Sequence, residues 1–212
     1  MKLKILQAGD PVLRAMARPL SLEEMRSGAI QELIEWMRET MRDAPGVGLA
    51  APQVGLGLQL VVIEDRAELQ RGIAPERLAE RGRRPVPFQV LINPRILPSG
   101  AEAEFFEGCL SFAGYSALVA RPLEVRVDCL DHLGQPLSFR AEGWHARIVQ
   151  HEVDHLRGTL YVDRMRTRTL TTLENLTRNW NDLPIAEVLA RLGEGTGIEP
   201  CGGTGDDSGS PT

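Results

Sequence analysis

A mixed α and β class follows from three readings of the sequence. An amphipathic helix lies near the N-terminus, an alternating apolar hairpin begins at Leu123, and a later helix carries His151 and His155 on one face. The first helix is expected from about Gly28 to Arg42: Ile30, Leu33, Ile34, Met37 and Met41 recur at helical intervals with charged residues between them, and Pro45 and Gly46 end it. Leu58, Leu60, Val61, Val62 and Ile63 form a short β-branched run bounded by Gly57 and Asp65, which reads as a buried strand, and Phe88 to Ile92 reads as another. Between them, Arg66 to Pro87 is dense in Arg, Glu, Gly and Pro without a sustained apolar period, so a mobile surface loop is expected there. Leu123, Val125, Val127 and Cys129 alternate with charged residues, Asp131 to Gly134 supplies turn chemistry, and Leu137, Phe139 and Ala141 resume the alternation, the pattern of an antiparallel hairpin.

Trp144, Ile148, Val149, Val153 and Leu156 then recur at three- and four-residue spacing, and Gly158 supplies a stop, so His151 to His155 lies on a helix. Thr167 to Asn179 and Ile185 to Leu192 read as two further helices separated by Pro184. From Gly193 the chain is Gly, Ser, Thr, Pro and Asp, with little to bury. The organisation expected is a catalytic domain over 1–166, a helical extension over 167–192 and a disordered tail over 193–212.

A chain of 212 residues with 42% hydrophobic content can bury a single-domain core. Its 24 basic and 29 acidic residues are interspersed, so no stripe points to DNA or to a broad nucleic-acid surface. Three cysteines, at 109, 129 and 201, make no disulfide framework and fit a reducing compartment. The apolar run at Leu3 to Leu6 is too short for a signal sequence, and no stretch approaches a bilayer span, so no membrane is expected. The compartment expected is the cytoplasm, most simply a bacterial cytosol, with a processed organellar form kept open. Nothing in the sequence sets an oligomeric state.

Residues four apart are neighbours on a helix, so His151 and His155 can reach one divalent ion. Glu152 projects into the adjacent sector, where it can act as base toward a water, and the reaction class expected is hydrolysis. Two histidines do not complete a metal site, and the third donor separates functions. The metzincin pattern finds Gly158 but then Tyr161 in place of a third histidine. A thermolysin-like endopeptidase would use a later glutamate, with Glu174 or Glu187 as nominees. The upstream candidate is Cys109, flanked by Gly108 at an expected strand edge, where the competing reading is a small core hydrophobe. A zinc endopeptidase and a purely structural metal protein both remain open on the residues alone.

Three segments in order, Gly46-Val47-Gly48-Leu49-Ala50-Ala51-Pro52-Gln53, Glu107-Gly108-Cys109-Leu110-Ser111 and Gln150-His151-Glu152-Val153-Asp154-His155-Leu156, resemble the motifs of the peptide deformylase family. The similarity runs from Gln7-Ala8-Gly9-Asp10-Pro11-Val12-Leu13-Arg14 to about Met165. The resemblance implies an α+β fold: antiparallel β-sheets wrapped around a central metal-binding helix, with the N-terminal amphipathic helix and C-terminal helices outside. It implies that Cys109, His151 and His155 hold one divalent metal ion, Fe²⁺ in the cell or Zn²⁺ in purified protein. It also implies that N-formyl-methionyl nascent peptides are the substrate, with transient ribosome contact during synthesis.

Under that resemblance Glu152 is the base, and the Gln53 side chain and the Leu110 backbone N–H are donors to the developing oxyanion. Val47 and Gly108 would pair with an extended peptide, Gly46 and Gly48 would let backbone approach it, and Ile148 would line the methionine pocket with Val47. Ser116 stands where many bacterial members carry an arginine, giving a rim similar to the subgroup that includes organellar enzymes. Arg164, Arg166 and Arg168 form a small basic cluster for which phosphate contact and a plain solvated face are the two readings.

Overall fold

The computed structural model describes residues 1–193. A short N-terminal helix and the longer one after it are set by serine caps. Ser21 and Glu24 form a reciprocal capping box at α1 (Leu22–Arg26), and the Ser27 hydroxyl accepts from the Ile30 N–H, 3.3 Å away, at the start of α2 (Gly28–Asp43). The five apolar residues expected on the face of α2 are all buried. The strands are β1 (Gly48–Ala50), β2 (Leu60–Asp65), β3 (Val86–Cys109), β4 (Phe112–Leu130), β5 (Pro136–Glu142) and β6 (Thr171–Thr172). They form one antiparallel sheet in the order β1-β2-β3-β4-β5, with β6 added to β4.

The sheet is clad on both sides near β2, which explains the uninterrupted apolar run there. Leu60 and Val62 face Leu33, Met37 and Met41 of α2, whereas Val61 and Ile63 face Val149, Val153 and their neighbours on α4 (Gly143–Leu156). The strand expected at Phe88 to Ile92 is the first part of β3, which continues through three irregularities, after Ile92, after Ser99 and at Gly108, before ending at Cys109. The hairpin expected after Leu123 is β4 and β5, with Val125 opposite Ala141 and Val127 opposite Phe139.

Two expectations are corrected. Arg66 to Pro87 is not a bare loop: it holds a 3₁₀ turn at Ala67–Gln70 and α3 (Pro75–Glu80), and β3 has already begun at Val86. Helix α3 buries no residue, so it leaves no apolar period to read. Its C-terminal flank is instead held by Arg83, which donates to Asp65 at 2.7 and 2.9 Å, and by Arg81 and Arg83 lying over the Trp144 ring. The helix expected from Thr167 to Asn179 is likewise replaced by a 3₁₀ turn, strand β6 and only a short α5 (Leu173–Asn175) that widens into a π-type turn over Leu176–Trp180. Threonines 171 and 172 are β-branched and find a free edge on β4 opposite Tyr115 and Ser116. The last expected helix is present as α6 (Ile185–Arg191), whose Val188 and Leu189 pack with Leu118 of β4. Gly193 apart, the expected tail over 193–212 lies outside the described residues. Among the described residues no helix is long and apolar enough to cross a membrane.

Helix α4 ends as its sequence requires. Gly158 adopts φ +70°, and a Cβ there would sit 2.5 Å from the Arg14 carbonyl oxygen. Replacing Gly158 with alanine is expected to cost about 1–3 kcal/mol, from left-handed strain plus that clash. Urea midpoints of the two proteins measure it, and equal midpoints would mean that the strand of chain around Arg14 moves aside without cost.

Candidate metal centre and catalytic cleft

Cys109 is the last residue of β3, delivered by the tight turn through Leu110 and Ser111 into β4. His151 and His155 come from successive turns of α4. The Sγ of Cys109 and one nitrogen of each ring all lie within 4.8 Å of one another, and Cys109 Sγ is 3.2 Å from His155 Nε2. The Nδ1 of His151 is 3.1 Å from Glu107 Oε2, which leaves its Nε2 for the centre of the group. The other nominees for third donor are elsewhere: Glu174 and Glu187 sit on the exposed C-terminal helices, paired with Arg178 and Arg191.

The surroundings suit a cation. Burial disfavours a protonated His151, yet its contacts with Cys109 and Glu107 outweigh burial and hold its pKa well above the ordinary value. His155 is pushed the other way, chiefly by burial, and stays neutral. Glu152, 4% exposed, has its pKa raised to about 7 by burial, against the pull of His151 and Arg121. Its Oε2 is buried and has no hydrogen-bond partner among the described residues. A buried carboxylate oxygen left unpaired beside three soft and borderline donors is what a site built for one hydrated divalent ion presents.

Glu107 is the hub behind this group. Burial pushes its carboxyl up, but His151 and Arg121 together hold it well below the usual carboxylate range. Arg121 donates to both of its oxygens at 2.6 and 3.0 Å and Arg147 adds a third bond at 2.5 Å. Arg121 also reaches Asp154, 2.8 Å away, and Asp154 takes two more bonds from Arg164 at 2.7 and 2.8 Å. Four charged side chains from β3, β4 and α4 are thereby closed into one buried network. Of the basic cluster read from the sequence, Arg164 pairs with Asp154 and Arg166 with Glu104.

The remaining motif residues line a cleft of about 460 Å³ that also reaches Glu152 and His151. Gln53, 1% exposed, accepts from the Ala50 N–H through Oε1 at 2.8 Å, which turns its Nε2 toward Cys109 Sγ at 3.6 Å and Ser111 Oγ at 3.2 Å. Leu110, Val47, Gly46, Gly48, Gly108 and Ile148 all line the same cleft. Gly48 has a sharper role than backbone access: a Cβ there would lie 2.7 Å from Glu152 Cδ and 2.8 Å from Cγ. Strand β1, which starts at Gly48, has a sheet partner on one side only. Ser116 is corrected: it is buried, and its hydroxyl donates to the Glu107 carbonyl at 2.8 Å. Strand alternation sends its neighbour Tyr115 to the rim instead.

Sequence reasoning missed Arg121, Asp154 and Arg147, and gave Glu107 and Ser111 no role. A signal existed: Arg147, His151 and Asp154 fall at i, i+4 and i+7 on a helix whose other buried positions are mostly apolar, which marks one polar, buried stripe. Arg121 had no such signal. The N–H of Ser111 is 3.4 Å from Cys109 Sγ, a second donor to the sulfur that only the turn geometry reveals.

A Cys-His-His donor cluster with a buried glutamate beside it, sunk in a cleft of a helix-clad antiparallel sheet, fits a metal-dependent hydrolase. The profile described as polypeptide deformylase matches residues 2–170. The chain is 48% identical over 190 residues to the chloroplastic peptide deformylase 1A of Solanum lycopersicum, covering 89% of this chain and 67% of the relative. It is 47% identical over 192 residues to peptide deformylase 3 of Streptomyces avermitilis, covering 90% and 84%. A Met-Ala-Ser-bound class I type b peptide deformylase from Acinetobacter baumannii superposes with TM-score 0.69 at 32% identity, covering 78% of this chain and 99% of that one. The chain belongs to the polypeptide deformylase family, metal-dependent enzymes that remove the formyl group from N-terminal formylmethionine.

Replacing Arg121 with methionine strands Glu107 and Asp154 as buried carboxylates short of a partner. A loss of about 3–5 kcal/mol is expected, read from denaturant unfolding. A loss under 1 kcal/mol would mean that Arg147 and Arg164 suffice alone.

Proposed function

We propose that Cys109 Sγ, His151 Nε2 and His155 Nε2 hold one divalent cation, and that Glu152, Gln53 and Leu110 carry out hydrolysis of the formyl amide of N-formyl-methionyl peptides around it. The observation that carries this reading is the convergence of three metal donors with the unpaired Oε2 of Glu152 in one cleft. When bound, such a cation supplies Lewis-acid activation of water and of the formyl oxygen. Iron as Fe²⁺ is the ion expected in the cell, with Zn²⁺ acceptable to the same thiolate and imidazole donors in purified protein.

Glu152 accepts a proton from water and returns it to the departing amine, a task suited to a carboxyl whose burial brings it toward neutrality. Gln53 Nε2 and the Leu110 N–H stabilise the oxyanion as the formyl carbon becomes tetrahedral. The single-sided β1 edge beside Val47 and the opposite wall at Gly108 suit an extended peptide backbone, with Ile148 and Val47 around the methionine side chain. An endopeptidase reading is disfavoured because Glu174 and Glu187 lie outside the donor group. A structural metal site is disfavoured because three donors, not four, converge among the described residues. Action on nascent chains implies passing contact with the ribosome. The cytoplasm is the compartment expected, with an organellar one equally in keeping with relatives from both bacteria and plastids.

Formyl-Met-Ala is expected to release formate, with no cleavage of internal bonds in unformylated peptides, and the reverse outcome would restore the endopeptidase reading. Glu152→Gln is expected to keep its metal by elemental analysis and lose at least about a hundredfold in turnover. Near-normal turnover would remove Glu152 from its role. Cys109→Ser is expected to lose metal on dialysis, and full retention would place the third donor elsewhere.

A further inference from the structure

The cleft has a gradient of depth that assigns a place to each part of a bound peptide. Its floor is buried: Gln53, Ile148 and Glu152 are 1%, 4% and 4% exposed. Its mouth carries two large side chains open to solvent, Tyr115 at 43% and Leu173 at 49%, which line the same cleft. A formyl group processed at the floor leaves the residues after methionine at the mouth.

Leu173 is brought there from beyond the segment that the family profile matches, which ends at residue 170. The chain before it is buttoned along β4. The Arg166 N–H donates to the Leu118 carbonyl and the Leu118 N–H to Thr169 Oγ1, both at 2.9 Å, and Thr171 and Thr172 pair with Ser116 and Tyr115. Thr172 then caps α5 by accepting from the Asn175 N–H at 3.2 Å, so the first helical residue, Leu173, directly follows the residue paired with Tyr115 and lines the same cleft. Tyr115 is itself braced edge-on by Phe112 at 5.6 Å, and its carbonyl oxygen lies close to Gly108, on the wall where the peptide backbone is expected. Two apolar side chains held in place yet uncovered offer surface that an apolar group can remove from water.

We infer that Leu173 and Tyr115 form an apolar seat for the side chain of a residue just after the formylmethionine, so that the C-terminal extension sets substrate preference. This rests on the deformylase reading above and adds a specificity determinant to it. An apolar or aromatic residue is favoured there over a small polar one.

The test compares formate release from formyl-Met-Leu-Phe and formyl-Met-Ala-Ser in the full-length, metal-loaded enzyme and its Leu173→Ser and Leu173→Met variants. The wild type is expected to favour the apolar peptide in kcat/KM. Leu173→Ser is expected to shrink that preference about five- to tenfold, through KM rather than kcat, and Leu173→Met to retain it. An unchanged ratio in Leu173→Ser, a loss confined to kcat, or a methionine variant as poor as the serine one would overturn the inference. Absence of formate from both peptides with wild-type enzyme would instead sink the deformylase reading on which it stands.

Discussion

The structure depends on two buried carboxylates, Glu107 and Asp154, being neutralised by arginines that reach across from other elements. Glu107 belongs to β3 and Asp154 to α4, and Arg121 of β4 bonds both. Buried ions are costly when unpaired, so the helix and the two long strands can approach only in the arrangement that completes every bond. That arrangement also sets the metal donors. Glu107 lies two residues before Cys109 and holds His151 by its Nδ1, so one carboxylate fixes both the sheet side and the helix side of the Cys-His-His cluster. The network gives the metal centre its geometry, and the apolar packing of α4 gives it its depth.

Much of this was legible in the chain. The apolar stripe of α2, the run of β2, the β4–β5 hairpin and the helix bearing His151 and His155 all follow from periodicity, because each buries a continuous face. His151, His155 and Glu152 were legible because paired donors on a helix need a fixed spacing, whereas Cys109, at a strand end, stood out only through the family resemblance of its segment. What escaped were features stabilised by something other than a periodic apolar face. Helix α3 is held by guanidinium groups on Trp144 and Asp65, and β6 by a free sheet edge that exists only after β4 has formed. Arg121 sits on a strand whose surface arginines look identical in sequence, and only the fold distinguishes it from Arg126, which stays exposed.

The cleft shows how distant segments divide one task. The turn after β3 supplies sulfur and a backbone N–H, the 3₁₀ turn after β1 supplies the Gln53 amide, and α4 supplies two rings and the carboxylate. Each comes from a rigid element or a two-residue turn, so these side chains are held in place rather than gathered by a moving loop. The same rigidity extends to the mouth, where the strand pairing of β6 carries the C-terminal segment to the rim.

The contact between Gly48 and Glu152 ties the first motif to the third. The carboxylate occupies the volume that any side chain at position 48 would claim, so the backbone itself acts as the stop against which the Glu152 side chain rests. Positions far apart in the chain are thus a single mechanical part, and in any lineage of this enzyme the tolerance for change at one is set by the bulk carried at the other.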